Sequence, residues 1–264
     1  MGASVLAHTL RERRRGLLGW SAGVAAFAAL IAVYWPSVRD SPDLQSFTRD
    51  LPEAMRALIG EGDYSTAAGF LNAELFAFMM PLLFLICAIG IGAGAVTREE
   101  ERGTIDLLLS TPLTRRRMLV EKALGGVLVL LALGVVLFVA LLLGGAAVEL
   151  GIPASRLAAI SLAVVLVALP FGALALLVSC ATGSHGLALG LTSAAAVSAY
   201  MLNALAPLIG SLERWQDASP FAWYASGDVL AGRLTLAHVA LLIGTALALA
   251  AAAVVALERR DLRT

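Results

Sequence analysis

Apolar residues in this chain follow neither a period of two nor a period of 3.6 over most of its length. They come in long unbroken runs separated by short polar pieces. Six runs, at residues 16–35, 75–96, 123–147, 157–180, 187–209 and 236–257, have no charged residue in their middle. A helix rises 1.5 Å per residue, so about 20 such residues cross the roughly 30 Å hydrocarbon layer of a bilayer. The pattern predicts an all-α polytopic membrane protein: a single transmembrane domain over residues 1–264 with six membrane-crossing helices.

The first run follows Arg11, Arg13, Arg14 and Arg15, as a signal peptide would. Its apolar core is about 20 residues, longer than the usual 7–15, and Tyr34, Trp35 and Pro36 offer no small-residue cleavage site. A retained first span is expected. Ahead of it, Val5, Leu6 and Leu10 fall at helical spacing. Residues 3–15 read equally well as an interfacial helix on the inner leaflet or as a frayed basic tail.

The polar pieces carry the information. Residues 98–122 hold eleven of the thirty-eight charged side chains, so this stretch belongs in water or against protein. Glu99, Glu100 and Glu101 suit the positive start of a helix. Ile105, Leu108 and Leu109 then share one face, with Leu107 beside them. Pro112 ends the helix by pushing Thr111 toward an extended conformation, and Thr114 can cap the helix that returns to the bilayer. A short helix roughly parallel to the membrane is expected over residues 98–110. Either the inner leaflet or a soluble partner covers its apolar face.

On the other side, residues 36–74 form the first loop. There Asp50, Pro52 and Glu53 mark a helix start and Gly60 its end. The loop at residues 210–235 is rich in Trp215, Phe221, Trp223 and Tyr224, with Pro220 among them. Tryptophan and tyrosine favour the membrane boundary, so a re-entrant or interfacial helical pair is expected before the sixth span. With a cytoplasmic N-terminus, thirteen Lys and Arg residues fall on inner pieces and six on outer ones. The positive-inside rule then puts both termini in the cytoplasm.

Composition narrows the partners. The chain is 59% hydrophobic and 14% charged, where soluble domains carry about 25% charged residues. Its net charge is zero, so nucleic acid is not an expected partner. Cys87 and Cys180 lie inside apolar runs and do not suggest a disulfide framework. No phosphate-loop sequence occurs, so any ATP that drives this protein binds another polypeptide. His8, His185 and His238 show no metal spacing, and no cofactor is expected. Gly90 and Gly94 lie within a span, where they permit close helix contact.

The stretch Arg-Glu-Glu-Glu-Arg-Gly-Thr-Ile-Asp-Leu-Leu-Leu-Ser-Thr-Pro-Leu-Thr-Arg, starting at Arg98, resembles the signature of ABC type-2 exporter permeases. Residues 51–71 (LPEAMRALIGEGDYSTAAGFL), 219–228 (SPFAWYASGD) and 258–262 (ERRDL) are similar to segments of bacterial members. The resemblance implies a six-helix half-transporter in the bacterial cytoplasmic (inner) membrane. It would pair with a second permease copy or a paralogue, amid membrane lipid, above separate ATP-binding-cassette ATPase subunits. It also implies a cytoplasmic coupling helix after the second span, within residues 98–112, seated in a cleft of the ATPase. By residue, that contact would fall on Glu101, Gly103, Thr104, Leu107, Leu108, Leu109 and Pro112, with Glu99 and Glu100 as rim charges.

Rival readings remain open at this point. An ion-coupled carrier usually places ionisable groups inside the membrane; here Glu74 and His238 lie only at span ends, though Pro81, Pro170 and Pro207 could mark broken helices. Ser226, Asp228 and His238 lack the turn a nucleophile needs, so an intramembrane enzyme is not expected. A non-catalytic assembly subunit is the remaining alternative. The expectation is an exporter permease without ATPase activity of its own, moving a lipophilic or amphipathic cargo.

Overall fold

The computed structural model describes residues 5–39, 41, 66–97 and 115–259. Among them there is no strand. Six helices are long and apolar enough to cross a membrane: Gly16–Arg39, Ala67–Ala93, Arg116–Ala147, Ala154–Thr182, His185–Leu208 and Leu236–Arg259. These are the expected spans, in the expected order.

The fourth span is the axis of the bundle. In its most apolar stretch 67% of residues are buried within the protein, against 17% in the first span and 11% in the sixth. The second, third, fifth and sixth spans all pack on it, while the first lies along the third. Leu30, Val33, Leu143, Leu187 and Leu247 remain exposed on the outside of the bundle. Lipid tails solvate such side chains as well as protein does, so helix association depends on close packing and hydrogen bonds instead. Gly92 and Gly172 supply the close packing between the second and fourth spans. A methyl group on Gly92 would run into the Gly172 carbonyl oxygen and sit 3.0 Å from the Ala175 Cβ; one on Gly172 would sit 3.3 Å from the Ala88 Cβ.

Several boundaries differ from those expected. One helix, Val5–Arg39, runs through the N-terminal arginines and through Pro36. Residues 5–15 are thus helical and continuous with the first span, which fits neither a frayed tail nor a separate helix turned onto the leaflet. Pro36 falls in the last turn, where it removes the bond that an N–H would make to the Ala32 carbonyl without ending the helix before Arg39. The second span begins at Ala67, capped by the Thr66 side chain, and so absorbs the end of the expected loop at 36–74. Its path is broken: Ala67–Leu71 is α-helical, Asn72–Phe76 is a π turn, and Met79–Ala93 resumes the α-helix. One acidic residue, Glu74, lies in the π turn and does not stop the helix. Pro81 follows the break within the first turn of the resumed helix, where its missing N–H has no intrahelical partner to lose. Pro170 lies inside a continuous helix, and Pro207 in the turn that ends the fifth span.

Between the fifth and sixth spans lies a series of short helical turns: Ala206–Leu208, Gly210–Glu213, Gln216–Ala218, Pro220–Tyr224 and Ser226–Leu230. Phe221, Tyr224, Val229 and Leu230 are buried, so this segment is packed structure, in keeping with the helical pair expected there. The expected surface helix at 50–60 and the coupling segment at 98–112 lie outside the described residues.

Candidate functional site at the two ends of the second span

Glu99, Glu100, Glu101, Gly103, Thr104, Leu107, Leu108, Leu109 and Pro112 all fall in residues 98–114, outside the described residues. The structure instead defines the frame that holds this segment: the end of the second span, from which it departs, and the start of the third, to which it returns. The face of the bundle carrying these two points is here termed the hinge face.

A helix leaves its last four carbonyls without backbone partners. At the end of the second span the Gly90 and Gly92 carbonyls accept from the Gly94 and Ala95 amides, and two further carbonyls are met by side chains. The Ala93 carbonyl accepts from the Thr97 hydroxyl at 2.8 Å and from the Ser179 hydroxyl of the fourth span at 2.9 Å. The Ala95 carbonyl accepts from Lys122 Nζ of the third span at 2.7 Å. Lys122 is the one lysine in the sequence, and only 8% of its surface is exposed. A buried ammonium needs compensation; the negative end of a helix dipole and a charge-assisted hydrogen bond provide it. Around these contacts Ala95, Val96, Leu119, Leu176, Cys180, Ala253 and Leu257 form a small apolar cluster. Second, third, fourth and sixth spans thus converge beside the root of the coupling segment.

The fourth and fifth spans are joined on the same face by a tight turn. Gly183 ends the fourth span with φ +66°, a conformation that favours glycine. Ser184 then caps the fifth, accepting from the Leu187 amide at 3.3 Å.

The opposite end of the second span has its own tie. Where the helix breaks, the Phe76 carbonyl accepts from the Tyr224 hydroxyl at 3.0 Å. Burial pushes ionisation of Tyr224 well above the ordinary tyrosine range, so it donates as a neutral phenol. Ser219 donates to the Ala199 carbonyl at 2.8 Å while its oxygen accepts from the Phe221 amide at 3.2 Å, capping the short helix that carries Tyr224. Rings continue the contact: Phe78 lies 5.3 Å from Tyr200, Tyr200 lies 5.4 Å from Phe221, and Phe221 lies 5.8 Å from Phe171. A carrier that bound an ion at this break would need its carbonyls; the Phe76 oxygen is already engaged.

Between the first and second spans an open apolar groove of about 590 Å³ is lined by Gly16, Gly19, Trp20, Gly23, Val24, Phe27, Met79 and Leu83. Among the described residues no group of three or more His, Cys, Asp or Glu is placed to hold a metal.

Six apolar helices, the fourth of them buried among the others, make the frame of a multi-pass membrane protein. A family model described as ABC-2 family transporter protein matches residues 3–262. The chain belongs to the ABC-2 transporter family. This ABC-2 protein is accordingly a multi-pass membrane permease of an ABC transporter. Members of the family are transport components, normally not catalytic themselves, that work with an ATP-binding-cassette partner. A comparison with curated proteins finds no match.

Sequence reasoning singled out residues 98–112, which lie outside the described residues, but missed the side chains bonded at their root. Lys122 was legible only as one more charge at a span end. Ser179 carries no local signal, and the glycine run pointed to Gly90, which has open space beside it, where the close contact is made by Gly92.

Proposed function

We propose that this ABC-2 protein is the permease half of an exporter in the bacterial cytoplasmic membrane, with both termini in the cytoplasm. It pairs with a second permease copy or a paralogue. Glu101, Gly103, Thr104, Leu107, Leu108, Leu109 and Pro112 meet the ATPase, with Glu99 and Glu100 at the rim of that contact. Closure of the ATPase on ATP pushes this segment, tilts the second and third spans, and opens a path between the two permeases. The observation that carries the reading is the anchoring of the segment's root: Ala93 and Ala95, in the last turn before it, are bonded to the fourth and third spans. A load applied there enters the centre of the bundle. The apolar groove beside the first span suits a lipophilic or amphipathic cargo.

The test is co-purification of the full chain with its ATPase in mild detergent, comparing the unsubstituted protein with Leu108→Asp. A carboxylate at Leu108 should abolish binding to the ATPase while leaving membrane insertion intact, because a charge pushed into an apolar cleft is left uncompensated. Equal binding by both proteins would overturn the assignment of the docking face.

A further inference from the structure

We infer that Lys122 and Ser179 are positioning residues for coupling, tying the hinge-face ends of the second, third and fourth spans into one body. The inference rests on the coupling reading above and adds residues outside the coupling segment to it. Both side chains cross from one span to the last turn of another, and both end on carbonyls within five residues of the segment's start. The two ties differ in kind. Ser179 is short and completely buried, and its hydroxyl fixes the Ala93 carbonyl at one distance from the fourth span. Lys122 is a point charge on a flexible four-carbon stem, able to follow the Ala95 carbonyl through a small displacement without letting go.

Each tie meets a different need. Without Ser179, the second span could slide along the fourth where Gly92 and Gly172 bring their backbones together. Without Lys122, the ends of the second and third spans could part when the segment between them is pushed. With both in place, displacement of the coupling segment carries the fourth span along, and through it the fifth and sixth spans that pack on it. Lys122 and Ser179 therefore act on transport through the helix they hold, without contact with cargo or nucleotide.

The experiment uses the full chain in lipid nanodiscs, with Cys87 and Cys180 replaced by Ala and nitroxides attached at Val120→Cys and Ala181→Cys. Both sites are exposed, one near the hinge-face end of the third span and one near that of the fourth. Spin–spin distances are read for the chain alone and for its complex with the ATPase, with and without ATP plus vanadate. The chain with Lys122 should give one narrow distance distribution that nucleotide does not shift. Lys122→Met should add a longer-distance population, larger when nucleotide is trapped, and Lys122→Arg should restore the single distribution by returning a cationic donor. Ser179→Ala should broaden the distribution in the same direction and keeps the test open if Lys122→Met does not insert. Unaltered distributions in both Lys122→Met and Ser179→Ala would overturn the inference. Failure of the unsubstituted chain to bind any ATPase would instead overturn the coupling reading, and the ties would still be judged on the nucleotide-free distances.

Discussion

The two ends of the second span are held by the same device built from different parts. At each end a backbone carbonyl that the helix cannot satisfy is taken by a side chain from elsewhere in the fold. On the hinge face the donors are a lysine and a serine, both on membrane-crossing helices. At the opposite end the donor is a neutral phenol on a five-residue helix between two spans. The first arrangement binds spans to spans and includes a buried charged side chain. The second binds a span to a connecting segment through a neutral hydrogen bond, beside the ring contacts of Phe221 with Tyr200 and Phe171. The comparison sets a tie among three spans against a tie between one span and a connecting segment; under the proposed coupling, force entering at the hinge face would be conducted inward and the far end would be the softer one.

Substitutions can break that contrast. The largest effect is expected from Gly92→Val, because the added side chain collides with backbone of the fourth span just inside the hinge-face ties. Overpacking of this kind costs about 1–3 kcal/mol or more, and since the obstruction is backbone the upper end applies. Thermal unfolding of the purified chain in detergent should show a markedly lower midpoint; an unchanged midpoint would mean that the second and fourth spans do not cross at Gly92.

Tyr224→Phe should have an intermediate effect. It leaves the Phe76 carbonyl buried without its donor, a loss of about 1–3 kcal/mol. The loosening should be confined to the far end, so amide exchange should accelerate around residues 72–80 and stay unchanged around residues 90–97. Faster exchange at both places would erase the distinction between a stiff and a yielding end.

Ser179→Ala should have the smallest effect on stability, about 0.5–1.5 kcal/mol, because Thr97 still donates to the same Ala93 carbonyl. Its consequence should instead be seen in the span-to-span distances described above. A loss of stability as large as that of Gly92→Val would show that the serine is needed for folding itself, which would sharpen the contrast with Tyr224.

The contrast between the ends also explains which parts of the molecule were legible. Six spans could be found from hydropathy because each run is apolar along its own length, and lipid rewards that locally. Short helical structure before the sixth span could be suggested from Pro220, Trp223 and Tyr224 for similarly local reasons, while the helix expected from Asp50 to Gly60 lies outside the described residues. The break at Asn72–Phe76 had only an indirect trace in Pro81, since a π turn needs no particular residue. Glu74 misled, because one carboxylate near a span end ends an apolar run without ending a helix.

Sequence alone determined the number of spans, the absence of a phosphate loop and the concentration of charge at residues 98–122, and its signature pointed to the ABC-2 family. These depend on residue type and spacing along the chain. Only the tertiary structure decided that the fourth span is the axis, that Gly92 and Gly172 allow two backbones to meet, and that Lys122 and Ser179 end on the carbonyls of another helix. Such contacts join residues 27 and 86 positions apart. Nothing in the local pattern selects one partner over another when every surface is equally apolar, so close fit and hydrogen bonding between spans make the choice.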